Sequence, residues 1–327
     1  MAKMRWGIAA PGNIARKFAA AAKNLPSDVE LVAVASRSLE RGRAFAAEYG
    51  IPTVFGSYEE MATSPLVDCV YVCPPHPFHK GCAEIFLRAK KHVLCEKPLC
   101  VNARHARELC ALAKENGVFL MEAMWTRFLP AVNEAIALAK SGEIGEVLGL
   151  SADFCYALTP AAEPKIFRTD MAGGALLDVG VYTLHLAAML FGTEPTSIKA
   201  TGHVVNGCDR HTVVTLQYEG GAIASLSSAT VIEKPEVAYI YGTKGSIRIP
   251  TFYGANEFYL VKGGTEERYA YPAIGDGFEE EILEASRIAA AGELESPLLP
   301  HARTVAVLEE MDDIRRIIGV SYPFDAE

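Results

Sequence analysis

A carboxylate, an ammonium group and a proline stand side by side at Glu96-Lys97-Pro98, directly after the apolar run at residues 92–95. The apolar run predicts a buried strand, and the proline ends it. In an open parallel sheet, ligands bind beyond the carboxyl ends of the strands. Lys97 is therefore a candidate for facing a bound cofactor, with Glu96 anchoring the turn. The alternative is a charged residue in an ordinary turn.

A second group of polar side chains lies within the apolar segment 167–185. Asp178 and Tyr182 are four residues apart, so an α-helix would place both on one face. Gly173 and Gly174, just before this helix, allow a close approach of the backbone. Two polar groups on one face of an apolar helix need a reason. The plain alternative is a buried phenol and an aspartate placed favourably near a helix N-terminus.

The first turn of the chain has the spacing of a phosphate-binding turn, with Ala10, Gly12 and Ala15 at the positions of G-x-G-x-x-A. Gly12 would let the backbone approach a pyrophosphate, and Asn13 and Ile14 would open a helix with free N–H groups. Ala10 replaces the first glycine of the pattern. The spacing alone is a weak signal, but its place between the first strand and the first helix favours dinucleotide binding.

The second predicted strand ends at Ser36-Arg37-Ser38, with Arg41 one turn further on. Proteins that bind NAD usually have an acid here to bind the ribose hydroxyls. Arg37 and Arg41 could instead pair with a 2′-phosphate, and Ser36 or Ser38 could donate to it. We therefore favour NADP over NAD. The alternative is a solvated basic turn in which Ser38 caps a helix.

Pro74, His76 and His79 belong to a proline-rich turn after the fourth predicted strand. Two histidines can suggest a metal, but no acidic or thiol partner stands at ligand spacing. We expect no metal site, and we expect these three residues to line the nicotinamide side of a cofactor cleft.

The pattern of elements predicts an α/β protein, with an N-terminal Rossmann doubly wound parallel sheet followed by an α+β domain with a large, mostly antiparallel sheet. We place the dinucleotide-binding domain at residues 1–122 and a substrate-binding and dimerisation domain at residues 123–327. Helices should cover one face of the second sheet, and a second copy of the chain could cover the other. The predicted strands are residues 5–9, 31–35, 53–55, 68–73, 92–95 and 118–122, then 148–154, 197–205, 212–218, 222–228, 237–241, 246–249, 258–262 and 268–271.

The composition limits the classes of partner. The 327 residues have a formal net charge of −9, so nucleic acid and anionic membranes are unexpected partners. No apolar run approaches the roughly 20 residues of a bilayer helix. The eight cysteines form no Cys-x-x-Cys pair, which favours reduced thiols and a cytoplasmic protein. A small molecule is the expected substrate.

Three features of the chain together resemble the glucose–fructose oxidoreductase/inositol dehydrogenase (Gfo/Idh/MocA) family. They are the first turn, with Ala10 in place of its first glycine, the motif Cys95-Glu96-Lys97-Pro98 and the segment Gly173-Gly174-Ala175-Leu176-Leu177-Asp178-Val179-Gly180-Val181-Tyr182. Three further segments resemble its dimeric dihydrodiol dehydrogenase and NADP-dependent D-xylose dehydrogenase branch. These are Met4-Arg5-Trp6-Gly7, Met121-Glu122-Ala123-Met124-Trp125-Thr126-Arg127-Phe128 and Gly242-Thr243-Lys244-Gly245. The resemblance covers nearly the whole chain, and Glu-Lys-Pro is its most specific motif.

The resemblance implies an NADP-dependent oxidoreductase of a secondary alcohol, either a sugar or a trans-dihydrodiol, in which Lys97 and Tyr182 are the catalytic pair. Asp178 would orient one of the two. The same scaffold could serve a reductase of dicarbonyls or anhydro sugars, an aldose dehydrogenase, or a regulator that binds NAD(P) without chemistry. Candidates for the substrate wall are Trp125, Arg127, Phe154, Tyr156, Arg168 and Tyr182.

Overall fold

The computed structural model describes residues 3–158 and 165–326. The chain forms two compact units. The first comprises Met1–Cys100, Arg104–Met124 and Ile274–Thr304, and the second comprises Val101–Ala103, Trp125–Ala273 and Val305–Glu327.

The first unit is built on a parallel sheet of six strands, as the alternating pattern predicts. The strand order is β3-β2-β1-β4-β5-β6, which is a doubly wound arrangement. The strands are β1 (Met4–Ala9), β2 (Val29–Ala35), β3 (Thr53–Phe55), β4 (Cys69–Val72), β5 (His92–Glu96) and β6 (Leu120–Ala123). The helices between them are α1 (Asn13–Lys23), α2 (Leu39–Tyr49), α3 (Tyr58–Thr63), α4 (His79–Arg88) and α5 (Ala103–Asn116).

The second unit contains an eight-stranded sheet with the order β14-β13-β12-β11-β7-β10-β9-β8. β7 and β10 are parallel neighbours, and the other neighbouring strands are antiparallel. After β7 the chain passes through a helix and re-enters the sheet at β8, from which β9 and β10 follow as antiparallel neighbours. The strands are β7 (Val147–Cys155), β8 (Ser197–Val205), β9 (Cys208–Gln217), β10 (Ile223–Ala229), β11 (Val237–Gly242), β12 (Gly245–Pro250), β13 (Glu257–Lys262) and β14 (Thr265–Ala270). The remaining helices are α6 (Pro130–Lys140), α7 (Val181–Phe191), α8 (Phe278–Ala290) and α9 (His301–Ile318).

The two faces of this larger sheet differ in burial. Leu150 and Leu226 are buried on the face against which α7 packs. On the opposite face Ile223 is 46% exposed and Tyr241 is 45% exposed. Both lie beside Gly149 of β7, because Tyr241 of β11 pairs with Gly149 from one side and Ile223 of β10 pairs with it from the other. The open face therefore has an apolar row at its centre.

The segment that contains α8 belongs to the first unit, although the sequence placed all of residues 123–327 in the second domain. The helix packs against α1, and the indole N–H of Trp6 donates to Ser286 Oγ at 3.1 Å. Asn24 Nδ2 donates to Glu279 Oε1 at 2.6 Å. The apolar side of α8 thus completes the core of the Rossmann sheet, and no local pattern in the sequence specifies which sheet it covers.

One helical stretch contradicts the expectation that no apolar run approaches the length of a bilayer helix. Thr169–Phe191 is long and apolar enough to cross a membrane by length and composition. Most of it is buried within the protein, and every residue of α7 from Val181 to Leu190 is buried. The stretch is the core helix of the second unit, which explains its composition.

Candidate active site

The first turn of the chain has the shape that a phosphate requires. Ala10 adopts the left-handed conformation at a φ of 69°, which explains why glycine is usual at this position. Its N–H donates to the carbonyl oxygen of Ala35 at 3.1 Å. Gly12 is the N-cap of α1, and no side chain in the described part of the protein caps the helix there. The first N–H groups of α1 therefore remain available to an anion.

Gly7 in β1 and Gly12 in the turn that follows it serve different purposes. A Cβ on Gly7 would lie 2.8 Å from Met61 Sδ, so Gly7 lets β1 pack against α3. A Cβ on Gly12 would meet only the carbonyl oxygen of Ala10, at 3.9 Å. The fold therefore leaves open space beside Gly12 that a methyl group would fill. Asn13 and Ile14 begin α1 directly after this space, as predicted.

The basic turn after β2 combines both interpretations of its sequence. Ser38 caps α2 by accepting a hydrogen bond from the Arg41 N–H at 3.4 Å, and Ser36 Oγ accepts from the Ser38 N–H at 3.3 Å. Arg37 and Arg41 are exposed, and neither forms an ion pair with another residue that the structure describes. The residues at this turn therefore fit an NAD(P) cofactor, with two cationic groups open to a 2′-phosphate.

His79 is buried and links two turns of the first unit. Its Nδ1 lies 2.8 Å from the carbonyl oxygen of Pro98, and its Nε2 lies 2.8 Å from that of Pro74. The ring of His76, which is half-buried, meets it edge-on at 5.7 Å. The structure thus shows His79 joining the turn after β4 to the Glu-Lys-Pro turn. Contact of Pro74, His76 or His79 with a nicotinamide stays a prediction.

The Glu-Lys-Pro turn at the end of β5 is held by two buried carboxylates. Glu96 accepts hydrogen bonds from the Tyr71 hydroxyl and, at 3.1 Å, from the Lys97 N–H. Burial raises the pKa of Glu96, and the charge of Lys97 opposes that shift. Glu122 Oε1 accepts from the Leu99 N–H at 3.0 Å. Lys97 itself is half-buried on a turn whose backbone is fixed on both sides.

A third carboxyl lies in the same core and was missed from the sequence. Glu281 on α8 is fully buried, and neither of its oxygens has a hydrogen-bond partner among the described residues. Burial, together with the charge of Glu96, raises its pKa well above the ordinary value. The sequence Phe278-Glu279-Glu280-Glu281 looks like an exposed acidic first turn, so the pattern gave no signal of this burial.

Asp178 lies on a π-helical turn, Leu176–Gly180, rather than on a regular α-helix. The wider turn precedes α7, so Asp178 lies just outside the regular α-helix that holds Tyr182, and a shared face of the two stays a prediction. Asp178 is half-buried, and its Oδ2 accepts a hydrogen bond from the Tyr156 hydroxyl at 2.5 Å. Gly174 lies so close to Asp209 that a Cβ would be 2.1 Å from Oδ1, which confirms the close approach expected at the glycine pair.

An aromatic cluster surrounds Tyr182 in the second unit. The ring of Phe154 meets the ring of Tyr182 edge-on, with centroids 5.2 Å apart, and stacks on Tyr253 at 4.2 Å. Trp125 meets Tyr253 edge-on at 5.9 Å. The structure therefore brings together three of the predicted wall residues. It adds Tyr253, which the sequence analysis missed although the pair Phe252-Tyr253 before Gly254 is visible in the chain.

Tyr253 is held firmly at the centre of this cluster. Its backbone carbonyl accepts a hydrogen bond from Thr126 Oγ1 at 2.8 Å, and its hydroxyl donates to Glu236 at 3.1 Å. Burial and the charge of Glu236 raise the pKa of Tyr253 to about 12. The phenol stays neutral in the physiological range and acts as part of a wall.

The two predicted arginines of the wall have polar partners of their own. Arg127 donates to Asn133 Oδ1 at 2.9 Å, and Arg168 donates to Asp170 Oδ1 at 2.8 Å. Contact of either side chain with a substrate stays a prediction. Within the described ranges, no group of three or more His, Cys, Asp or Glu side chains is arranged to hold a metal ion.

The chain matches two family profiles that together span most of its length. The profile of the oxidoreductase family with an NAD-binding Rossmann fold matches residues 4–124, and that of the GFO/IDH/MocA C-terminal domain matches residues 132–248. With the open phosphate turn and the parallel sheet, these matches define an NAD(P)-dependent dehydrogenase. The chain belongs to the Gfo/Idh/MocA family of oxidoreductases.

Characterised relatives extend this likeness over the full chain. Trans-1,2-dihydrobenzene-1,2-diol dehydrogenase of Danio rerio is 37% identical over 99% of this chain and 99% of its own length, and the Homo sapiens enzyme of that name is 34% identical over 98% and 99%. Among solved structures, the 3-ketoreductase KijD10 of Actinomadura kijaniata, in complex with NADP and TDP-benzene, is 25% identical with a TM-score of 0.88. The match covers 98% of this chain and 99% of the KijD10 chain.

A further structure shows the same fold at lower identity. The aldose-aldose oxidoreductase of Caulobacter crescentus is 24% identical, with a TM-score of 0.88, and the match covers 97% of each chain. Because the match covers nearly all of each chain, it extends over the elements of both units.

Proposed function

We propose that this protein is an NADP-dependent oxidoreductase that transfers a hydride between a secondary alcohol, a sugar or a trans-dihydrodiol, and the nicotinamide. The observation that supports the proposal most strongly is the fixed Glu-Lys-Pro turn. It ends β5 at the sheet edge where ligands of this fold bind, and buried carboxylates hold the backbone on both sides of Lys97. A turn that merely joined two elements would not need two buried carboxyl groups, because burying a polar group is costly.

Each proposed residue has a task in this reaction. Bound NADP+ supplies the hydride acceptor. Tyr182 accepts the proton of the alcohol, or donates it when the carbonyl is reduced. A free phenol, with a pKa of about 10, is a poor base near neutral pH. The positive charge of Lys97 favours the phenolate and so makes Tyr182 competent. Asp178 orients one of the two, Tyr182 or Lys97.

The preference for NADP is supported by the basic turn after β2. Arg37 and Arg41 are exposed there, and no acid occupies the position that would bind the ribose hydroxyls of NAD. KijD10 is described with NADP bound. We expect kcat/KM to be at least about tenfold higher with NADP+ than with NAD+, since a lost charge-assisted contact costs that much or more. Initial rates with the two cofactors measure this ratio.

The aromatic cluster supports a flat or ring-shaped substrate. Trp125, Phe154 and Tyr253 offer ring faces and edges that suit a dihydrodiol and also the apolar face of a pyranose. The named relatives act on trans-1,2-dihydrobenzene-1,2-diol. Steady-state rates with trans-dihydrodiols, aldoses, dicarbonyls and anhydro sugars, each with the matching form of NADP, identify the preferred class.

The central test is the substitution Lys97→Met. We expect kcat to fall by about 10²–10⁴, the range of general acid–base assistance, because Tyr182 would lose the charge that favours its phenolate. The Kd for NADP, measured by fluorescence titration, should change little. Lys80→Met is the matched control, since Lys80 forms surface ion pairs with Glu84 and Glu108 in the same unit. Near-normal turnover in Lys97→Met would overturn the mechanism.

The alternative of a regulator without chemistry predicts a different result. Tight NADP binding with no turnover for any alcohol or carbonyl of the panel would favour it over the enzyme. A lysine and a tyrosine would not be needed for binding alone, which is why we favour the dehydrogenase.

We further propose that the chain acts as a cytoplasmic homodimer joined through the open face of the larger sheet. All eight cysteines are free and buried, as suits a reducing compartment. The exposed row of Ile223 and Tyr241 supports an interface on that face.

A further inference from the structure

A phenol on the segment after β7 faces the π-helical turn of the second unit. The Tyr156 hydroxyl donates to Asp178 Oδ2 at 2.5 Å, across 22 positions of sequence. The backbone around it is fixed, since the Tyr156 N–H donates to the Ala229 carbonyl oxygen at 3.0 Å and Ala157 forms an isolated bridge with Val231. Tyr156 is therefore placed by the sheet, not by a mobile loop.

The hydrogen bond has the features of a strong one. A phenol that donates to a carboxylate forms a short, charge-assisted bond, and the site is half-buried. Burial and the charge of Asp178 both raise the pKa of Tyr156 above its ordinary range, and no other described ionisable group contributes to that shift. The phenol therefore stays protonated wherever the enzyme works, and its single proton is committed to Asp178.

The opposite side of Asp178 is fixed by the backbone. The Asp178 N–H donates to the Gly174 carbonyl oxygen at 3.3 Å. A Cβ on Gly180 would lie 3.0 Å from Ser228 Oγ, so the turn rests closely on β10. Asp178 is thus held by the close packing of its own turn on β10 and by the hydrogen bond from the Tyr156 hydroxyl. It precedes Tyr182 by four positions on the same continuous helical stretch.

From this geometry we infer that Tyr156 is a positioning residue for the proposed hydride transfer, which acts by holding the ionised carboxylate of Asp178 in place beside the turn that leads to Tyr182. The inference rests on the proposed function. It assigns Tyr156 to a phenol–carboxylate pair that supports the acid/base residue, instead of to the substrate wall alone.

The first test is Tyr156→Phe, which removes one hydroxyl and keeps the ring. We expect kcat to fall about 10-fold or more, the loss that follows removal of a hydrogen bond to a charged group, with the Kd for NADP unchanged. The acid limb of the kcat/KM pH profile should move to higher pH, because a carboxylate that loses a donor is protonated more readily. Tyr259→Phe is the matched control, since Tyr259 donates to Glu257 at 2.6 Å on a different part of the same unit. The control should match the wild type in rate and pH profile.

A double-mutant cycle separates positioning from a merely structural role. If Tyr156 acts through Asp178, Tyr156→Phe should cause no further loss of kcat in the Asp178→Asn background. Equal losses in both backgrounds, or a Tyr156→Phe enzyme with wild-type kcat and acid limb, would overturn the inference. Loss of turnover in Lys97→Met together with normal turnover in Tyr156→Phe would leave the proposed function standing and remove this inference alone.

A spectroscopic measurement tests the pair without turnover. With ¹³Cζ-labelled tyrosine, the Tyr156 resonance is assigned by its loss in Tyr156→Phe. We expect this resonance to shift when Asp178 is protonated at low pH and to shift permanently in Asp178→Asn. A Tyr156 resonance that ignores both changes would contradict the inference, even if no substrate of the panel is turned over.

Discussion

Glu310 on α9 is a buried carboxyl with no hydrogen bond to either oxygen among the described residues. The hydroxyl of Tyr218, whose pKa Glu310 helps to raise, is likewise buried without a partner in the described part of the protein. Burial, with the charges of Asp313 and Glu309, raises the pKa of Glu310 from 4.5 to about 8. The folded protein therefore keeps a proton there near neutral pH, whereas the unfolded chain releases it.

We predict that Glu310→Gln stabilises the protein in a pH-dependent way. Below pH 4.5 both states are protonated and the substitution should change little. Between pH 4.5 and about 8, Glu310 of the wild type ionises only in the unfolded state. The free energy of unfolding of the wild type therefore falls by about 1.4 kcal/mol per pH unit. Above pH 8 the loss is constant, and the variant should be more stable by a few kcal/mol. Melting temperatures from pH 4 to 9 measure this trend.

The control for this prediction is Glu134→Gln, which removes an exposed acid of α6 whose charge does not contribute to the pKa shift of Glu310. Its melting temperature should stay close to that of the wild type, since surface substitutions change stability by about 0.5 kcal/mol or less. A gain for Glu310→Gln that is the same at pH 4 and pH 8 would contradict the assigned ionisation.

At the scale of elements, β1 and the turn between β1 and α1 each contain a glycine, one required by the fold and one by the proposed cofactor. Gly7 is required by packing against Met61, whereas the space beside Gly12 is empty of protein side chains that the structure describes. The φ of Gly12 is −132°, which alanine adopts without strain. The two glycines should therefore respond differently to the same substitution.

We predict that Gly12→Ala folds normally and binds NADP at least about tenfold more weakly, because the methyl group occupies the space left for a pyrophosphate. Gly7→Ala is the matched variant, and it should lose about 1–2 kcal/mol of stability through overpacking while keeping its affinity for NADP. Thermal unfolding and fluorescence titration measure both properties. Unchanged NADP affinity in Gly12→Ala would place the phosphates elsewhere.

The π-helical turn is the element whose geometry differs most from the expectation. The sequence predicts one regular helix that holds both Asp178 and Tyr182, whereas Asp178 lies on the wider turn Leu176–Gly180 that precedes α7. Such turns are frequent at functional sites. The turn directs Asp178 towards Tyr156, a pairing that the spacing of Asp178 and Tyr182 does not indicate.

At the scale of the whole molecule, the open face of the larger sheet is the surface that we expect to pair with a second copy. Light scattering after size exclusion should give twice the 35.3 kDa of one chain. Ile223→Asp puts a charge in the centre of the apolar row and should shift the protein to monomers. Leu66→Asp, at an exposed apolar position of the first unit, is the control and should stay dimeric. A wild-type monomer, or a dimeric Ile223→Asp, would exclude this interface.

The sequence alone determined the elements, the two sheets and the chemistry of the first turn. Strand and helix periods, capping residues such as Ser38, and the glycine and proline turns are properties of neighbouring residues, so they can be read along the chain. Strands β3 and β8 begin and end where the sequence predicts. The Glu-Lys-Pro motif is equally local, which is why the order of residues is enough to single out Lys97.

Only the tertiary structure decided which distant residues meet. Trp6 and Ser286 are 280 positions apart, yet their contact assigns α8 to the first unit. Tyr253 joins Phe154 and Trp125, Tyr156 meets Asp178, and Glu281 is buried although its sequence looks exposed. These pairings follow from the packing of whole elements, whose free energy depends on surfaces that are far apart in the chain. Local propensity contains no term for them.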